Sequence, residues 1–442
     1  MKKKTIAAAL ICMMTGIMLQ GCGNTVEIAD DAVIDHGLDE EEEETPEDEL
    51  YADAPQVLRD LIEETNNEVV LTVWASAEDQ DLTQSMINRF IATYPTVKFD
   101  ITLGSEAEST AKETILADPE GSADVFTFVD DQLPELLQAN ALMEVDSFYT
   151  YDVKEKNVEA SVKAACDGDK LYAYPMTADN GYFLFYDKSV FSASDVTSME
   201  KLLEKADEKN KKVAMDLANG WYLYSFFRAE GLEVSRKEDG SNTCNWNKAG
   251  GTDVAQAILD LVATGNLVNM DDATQAAQLA EGKIGAIVNG TWRAADCQEA
   301  WGENYAATKL PTVKINGKDK QMASFCGSKL IGINPHTEYK EWAKVLAEFL
   351  TNEENQIQRF EARGLGPSNI VAQSSDAVKA DVAIAALAEQ AANAYPQRVG
   401  ANYWSPAENL GAVLAGGNKK KKDLQKLLDE TVDEIMAPIE KE

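Results

Sequence analysis

Between Val69 and Leu142 the chain alternates short apolar runs with stretches whose apolar residues recur every three or four positions, an order that few folds accommodate. Val69-Val70-Leu71-Thr72-Val73-Trp74 is a β-branched run of strand length, followed by the polar Ser76 to Asp81. Ile87, Phe90, Ile91 and Tyr94 then repeat at helical spacing until Pro95 stops the pattern. Thr96 to Leu103 alternates Val97, Phe99, Ile101 and Leu103 as a strand does. Asp124-Val125-Phe126-Thr127-Phe128-Val129 forms a third run, and a helical period covers Leu133 to Leu142. Strand, helix, strand, helix, strand predicts a parallel sheet with crossover helices, so this part of the chain is read as an α/β lobe.

The same materials recur further on. Asp167-Gly168 marks a tight turn into a strand over Lys170 to Met176. After the polar Thr177-Ala178-Asp179-Asn180-Gly181 comes another strand, Tyr182 to Tyr186. Met199 to Lys209 and Asp253 to Val262 read as helices, and Lys212 to Leu217, Ile284 to Val288 and Lys329 to Asn334 as strands. The last third is mainly helical, with apolar periodicity in Trp342 to Leu350, Ala380 to Ala394 and Leu424 to Met436. A chain of 442 residues exceeds what one hydrophobic core usually serves, so two domains are expected.

The N-terminus carries different information. Lys2, Lys3 and Lys4 give a positive start, and Ile6 to Leu19 an apolar stretch too short to cross a bilayer comfortably. Leu19-Gln20-Gly21 then places small residues before Cys22. This is a secretion leader and resembles a bacterial lipoprotein lipobox, which implies cleavage after residue 21 and diacylglycerol on Cys22. Residues 1–21 are therefore expected to be a signal peptide. The net charge of −36 argues against nucleic acid, whose phosphates need a basic face. Much of that charge lies between Asp30 and Glu49, including the run Glu40 to Glu44. With so few apolar residues to offset ordering entropy, 22–64 is expected to be an acidic disordered tether.

Side-chain chemistry excludes several functions. Of only two histidines, His36 falls in the expected tether and His336 in a Pro-His-Thr loop, which leaves no basis for a Ser-His-Asp triad, a Cys-His pair or a histidine metal site. No Rossmann or Walker loop occurs, and neither cofactor nor metal is expected. Cys166, Cys244, Cys297 and Cys326 are widely spaced and form no Cys-x-x-Cys pair, so buried free thiols are the expectation. Carboxylates are abundant enough that a surface lipoprotein glycoside hydrolase with paired acids stands as the enzyme alternative. The positive signal is aromatic. Trp221-Tyr222 follows Asn219-Gly220, Trp292 follows Asn289-Gly290-Thr291, and Tyr403-Trp404 follows Ala401-Asn402. Flat rings at element ends match the C–H faces of sugars, and nearby carboxylates and amides match their hydroxyls.

From Val69 to Pro438 these landmarks, taken in order, resemble the extracellular solute-binding proteins of ABC sugar transporters, in their maltose-binding branch. Leu71-Thr72-Val73-Trp74 with its acidic follow-on is similar to the first strand and ligand loop, and Ala123-Asp124-Val125 leading to Asp130-Asp131 to the second. Asp169-Lys170-Leu171-Tyr172-Ala173-Tyr174-Pro175 resembles the strand entering the first hinge, and Glu281-Gly282-Lys283 through Trp292 the strand ending at a stacking tryptophan. Lys309-Leu310-Pro311 and Gly364-Leu365-Gly366-Pro367 are similar to the later crossovers. The resemblance implies a two-lobe α/β periplasmic-binding-protein-like fold of type II, its lobes joined by multiple hinge crossovers. It divides the body into 65–177 plus 312–365 and 178–311 plus 366–442. It further implies that Glu78, Asp79, Asp131 and Asp179 accept sugar hydroxyls and that Trp221, Tyr222, Trp292 and Tyr403 or Trp404 stack on rings. Phe128 and Gln132 stand where the maltose binder has a tryptophan and an arginine, giving a weaker platform and one charged donor fewer. The function implied is not enzymatic. A monomer captures an oligosaccharide, with malto-oligosaccharide the first expectation, and delivers it to ABC permease subunits. It would be held through Cys22 on the outer face of a cell membrane, more in keeping with a Gram-positive envelope than with a periplasm.

Overall fold

Two five-stranded sheets built on one plan account for the alternation. The structure, a computed structural model, describes residues 50–237 and 239–438; the leader, Cys22, His36 and the acidic run lie outside the described residues. In the first sheet the strand order is Phe99–Ser105, Val69–Ala75, Val125–Val129, Lys329–Ile333, Tyr174–Pro175. The first three strands are parallel, with Val69 opposite Phe99 and Val73 opposite Val125, and Lys329–Ile333 joins them antiparallel. In the second sheet the order is Leu267–Asn269, Lys212–Met215, Ile284–Asn289, Phe183–Asp187, Tyr305–Thr308. Again three strands are parallel, and the strand brought in from outside the run, Phe183–Asp187, pairs antiparallel.

Each sheet carries its own core. Leu71, Val73, Phe126 and Ile331 pack with Met86, Ile87 and Phe90 of the helix Gln80–Thr93 and with Trp342, Leu346 and Leu350 of the helix Lys340–Thr351. The second sheet is covered on both faces. Leu184, Val213, Met215 and Val288 enter one cluster, and the intervening Phe183, Phe185, Ala214 and Ile287 enter another, as the two-residue period of a strand requires.

The chain passes between the lobes three times, and the passages touch. The first runs from Tyr174–Pro175 through Asn180–Gly181 to Phe183–Asp187. The second runs from Ser324–Gly327 into Lys329–Ile333, and the third leaves the helix Glu353–Arg363 through Gly364 to Ser368. Asn180–Gly181 and Ala394–Pro396 flank Ser324–Gly327 in a small three-stranded sheet. Thr177 bridges Pro367, and Ala178 donates its N–H to the Gly366 carbonyl at 2.9 Å. Gly327 is required here by proximity, since a Cβ would meet a carboxylate oxygen of Asp130 at 2.2 Å.

Several expectations need correction. The segment expected to be tether up to residue 64 contains the helix Gln56–Glu64. Its Leu58 is buried in the first-lobe core, with Leu61 and Ile62 packed against the same cluster, and Thr65 beyond it accepts the Trp342 indole N–H at 2.9 Å. Residues 312–321 form a hairpin belonging to the second lobe, because Val313 and Ile315 are buried in its core and Lys314 donates its N–H to Glu200. The first lobe therefore resumes at Ser328. The helix expected to Leu142 stops at Gln138, after which Asn140 takes a left-handed φ of 53°. The strand over Lys170 to Met176 breaks into two short pieces, one pairing with Cys166–Asp167 across the Gly168 turn. All four described cysteines are free, two buried and two half-buried.

Leu58→Ala should lower the unfolding free energy by about 2–4 kcal/mol, the ordinary range for a buried leucine. Denaturant titration checks this, and a change within 0.5 kcal/mol, roughly what a surface residue gives, would return the segment to the tether.

Candidate functional site

In both lobes the loops after the three parallel strands carry the polar and aromatic residues, as expected of open α/β sheets, where ligands meet the carboxyl ends of strands. The first lobe presents Ser76 to Asp79, Glu106 to Glu108, and Asp130-Asp131. The second presents Asp216 to Trp221, Asp271-Asp272, and Gly290 to Trp292. Lys329, which pairs with Glu108 and lies over Trp292, and Arg398, which pairs with Asp130, link the two lobes there.

On the second lobe two indoles form a platform. Asn219 caps the helix Gly220–Ala229 by accepting the Trp221 N–H, which fixes Trp221 at the helix start. Trp292 lies in the turn Thr291–Arg293 directly after the strand Ile284–Asn289. The rings lie 5.7 Å apart, inclined by 35°, and both are half-buried. Tyr182 packs edge-on to Trp221 at 4.6 Å, and the Trp221 Nε1–H donates to the Gln397 side chain at 2.7 Å. Gly290 explains part of the Asn-Gly-Thr-Trp order. A Cβ there would meet the Trp292 ring at 2.1 Å, so the ring lies where only glycine leaves space. Arg293 behind it is held by Asp272 and Asp296.

From the first lobe, Lys329 extends its ammonium over the Trp292 ring, 5.8 Å from the centroid, and pairs with Glu108 at 3.3 Å. Burial works to lower the Lys329 pKa, but Glu108, Asp179 and Asp79 more than offset it and hold the group charged. Asp131 is half-buried beside Asp130. Burial, then the Asp130 charge, push its carboxyl up to about 7, against the opposing pull of Gln397 and Lys112.

The expected site residues thus divide. Trp221, Trp292 and Asp131 lie half-buried in loops at the carboxyl ends of strands, and Glu78 is exposed. Trp404 is half-buried against Gly220, at the foot of the Trp221 helix. Asp79 is buried and bound by Arg363 at 2.8 Å. Asp179, 2% exposed, accepts the Thr291 hydroxyl at 2.5 Å and the Gly366 N–H at 2.6 Å, and its second oxygen has no partner. Three aromatic assignments are corrected. Phe128 is fully buried against Phe126 in the first-lobe core, because the two share a strand face. Tyr403 is fully buried and donates its hydroxyl to the Gly220 carbonyl at 2.6 Å, which makes it a support for Trp221. Tyr222 is buried and donates to Asn289 at 3.3 Å. Gln132 is likewise buried and binds the Glu108 and Ser109 carbonyls.

Lys329, Glu108, Gln397 and Arg398 were missed. Lys329 had a signal in sequence, a lone cation opening an otherwise apolar strand; Gln397 and Arg398 had none. A separate groove on the second lobe, ≈ 710 Å³, is lined by Glu200, Glu204, Asp207, Asp253 and Asp260 without an aromatic ring, and it lacks the stacking surface of the crevice.

Residues 85–386 match the family model described as bacterial extracellular solute-binding protein. The galactooligosaccharide-binding protein of Bacillus subtilis (strain 168) is 26% identical over 338 residues, covering 72% of this chain and 77% of that protein. The maltodextrin-binding protein MdxE of the same organism is 26% identical over 320 residues, covering 68% and 75%. A chain solved with acarbose superposes with a TM-score of 0.75 at 31% identity, covering 84% of this chain and 99% of that one. The maltodextrin-binding protein MalE1 from L. casei BL23, solved without ligand, gives 0.71 at 26%, covering 84% and 100%.

Gly290→Ala should displace the Trp292 ring, cost about 1–3 kcal/mol of stability by overpacking, and alter the tryptophan emission. Wild-type emission and melting temperature would contradict the placement of that ring.

Proposed function

The chain belongs to the bacterial extracellular solute-binding family, and from that premise we propose that it captures an oligosaccharide between its two lobes and hands it intact to an ABC permease. What carries the reading is the pair of half-buried indoles, Trp221 and Trp292, opposite the first-lobe groups Lys329, Glu108 and Asp131. Indole faces favour the C–H faces of pyranose rings, and the charged groups supply donors and acceptors for hydroxyls. A sugar that touches both sides does so only when the lobes approach, so its differential affinity shifts the hinge equilibrium toward closure. Malto-oligosaccharide is the first ligand of the proposal. The names of the relatives, one galactooligosaccharide-binding and one maltodextrin-binding, make a β-galactoside the natural competitor in the same assay.

No bond is broken in this account. The buried Asp79, Asp130 and Asp179 are engaged by Arg363, Arg398, Thr291 and Gly366, so they hold the fold together and form no acid–base pair across a scissile linkage. The glycoside hydrolase alternative is set aside on that ground, in keeping with the binding-protein relatives. The lipid on Cys22, the permease partner, and anchoring on the outer face of a Gram-positive type of membrane complete the proposal. The acidic stretch then acts as a spacer between lipid and body.

A thermal-shift panel of maltotriose, maltotetraose and galacto-oligosaccharides should raise the melting temperature for one series by mass action. Trp292→Ala should then weaken that sugar by about 2 kcal/mol, roughly thirty-fold, in calorimetry. Affinity equal to wild type would remove Trp292 from the site, and release of reducing ends on prolonged incubation would restore the hydrolase.

A further inference from the structure

The sides of the crevice are joined by contacts that involve no ligand. Gln397 and Arg398 follow the strand Ala394–Pro396; the Gln397 N–H donates to the Cys326 carbonyl on the crossing strand at 3.1 Å, and the Arg398 backbone is tied to the second lobe. Arg236 donates its N–H to the Arg398 carbonyl at 2.8 Å, and the next residue, Val399, is buried in the second-lobe core. Their side chains point the other way. Arg398 donates to a carboxylate oxygen of Asp130 at 2.9 Å. The Gln397 oxygen accepts the Trp221 Nε1–H at 2.7 Å, while its amide favours the ionised form of Asp131 on the first lobe. One side chain thus serves the stacking ring on one lobe and the acid on the other.

We propose that Gln397 and Arg398 act as a clasp, two positioning residues that hold the Asp130-Asp131 loop against the Trp221 platform and set how far the crevice stands closed before any sugar arrives. Its effect on affinity rests on the solute-binding reading, whereas the clasp itself is a property of the ligand-free chain.

The physical case starts from Asp130, which is 2% exposed. A carboxylate so enclosed is costly unless paired. On its own lobe and the crossing strand it has the Ser328 N–H at 3.0 Å, and its cation comes from the second lobe. Drawing the lobes apart strips Asp130 of Arg398, so the clasp biases the crevice toward closure. Asp131 adds a pH dependence. The groups around the two carboxylates are Lys112 and Glu135 on the first lobe, Cys326 on the crossing strand, and Arg398 on the second lobe. Burial and the Asp130 charge push Asp131 up to about 7, so a second carboxylate set beside it repels above that range and shares a proton well below it.

The test uses the full chain without sugar, with a fluorophore on each lobe reporting their separation by energy transfer. Gln397→Glu keeps an acceptor for Trp221 but sets a carboxylate against Asp131. It should open the lobes at about pH 8 and return them to the wild-type separation at about pH 5.5, where the two acids share a proton. Arg398→Ala should open them at both pH values, and Arg398→Lys should restore closure. For maltotriose, the opened variants should lose affinity about tenfold. Wild-type separation in Gln397→Glu and Arg398→Ala at pH 8 would overturn the clasp, and so would an opening of Gln397→Glu that persists at pH 5.5, since a distorted loop does not close on protonation. If the wild type binds none of the sugars tested, the ligand reading fails while the separation measurements still decide the clasp.

Discussion

Asp179 is the pin on which the two-lobe arrangement turns. It lies on the first passage between lobes and accepts one hydrogen bond from Thr291, at the base of Trp292, and another from Gly366 on the third passage. Its enclosure makes both bonds valuable, because both donors meet one oxygen of a carboxylate held far from water, and the other oxygen has no partner. The same two bonds align a stacking ring with the hinge. A movement of the lobes that preserves them can change the width of the crevice while Trp292 keeps its position relative to the crossings. Asp79, also implied by resemblance to be a ligand, serves a comparable internal purpose through Arg363.

The strongly acidic composition consequently coexists with a crevice in which the deepest acids are already neutralised. Lys329 on the first lobe and Arg398 on the second each pair with a buried carboxylate on the first lobe. What remains available to a ligand is aromatic surface, the half-buried Asp131, the hydrogen-bonding capacity that the Lys329–Glu108 pair does not use itself, and the rim. That balance suits a neutral, hydroxyl-rich molecule, which needs hydrogen bonds and a flat apolar face but brings no charge to be matched.

How far this could be seen in sequence depended on whether a residue's role followed from local periodicity. The parallel strands announced themselves through β-branched runs and alternation, and both Trp221 and Trp292 through position after a turn. The helix Gln56–Glu64 was obscured because acidic neighbours dominated its composition, although Leu58, Leu61 and Ile62 stand at helical spacing. The resemblance alone makes Phe128 a platform, whereas strand parity with Phe126 puts it in the core. Tyr403 and Tyr222 occupy element ends as exposed rings do, and only their long-range partners Gly220 and Asn289 show them buried. Gln397 and Arg398 carry no local pattern at all, because their significance comes entirely from chain brought near by the third passage.

The central claim is that a glycan is held between the Trp221–Trp292 platform and the first-lobe groups around Lys329. A crystal structure of the chain grown with maltotriose or the galacto-oligosaccharide that shifts its melting point tests this most directly. The account predicts a sugar ring lying flat on one of those indoles with hydroxyls reaching Glu108, Lys329 or Asp131. Sugar density confined to the acidic groove lined by Glu204 and Asp260, with both indoles bare, would contradict it.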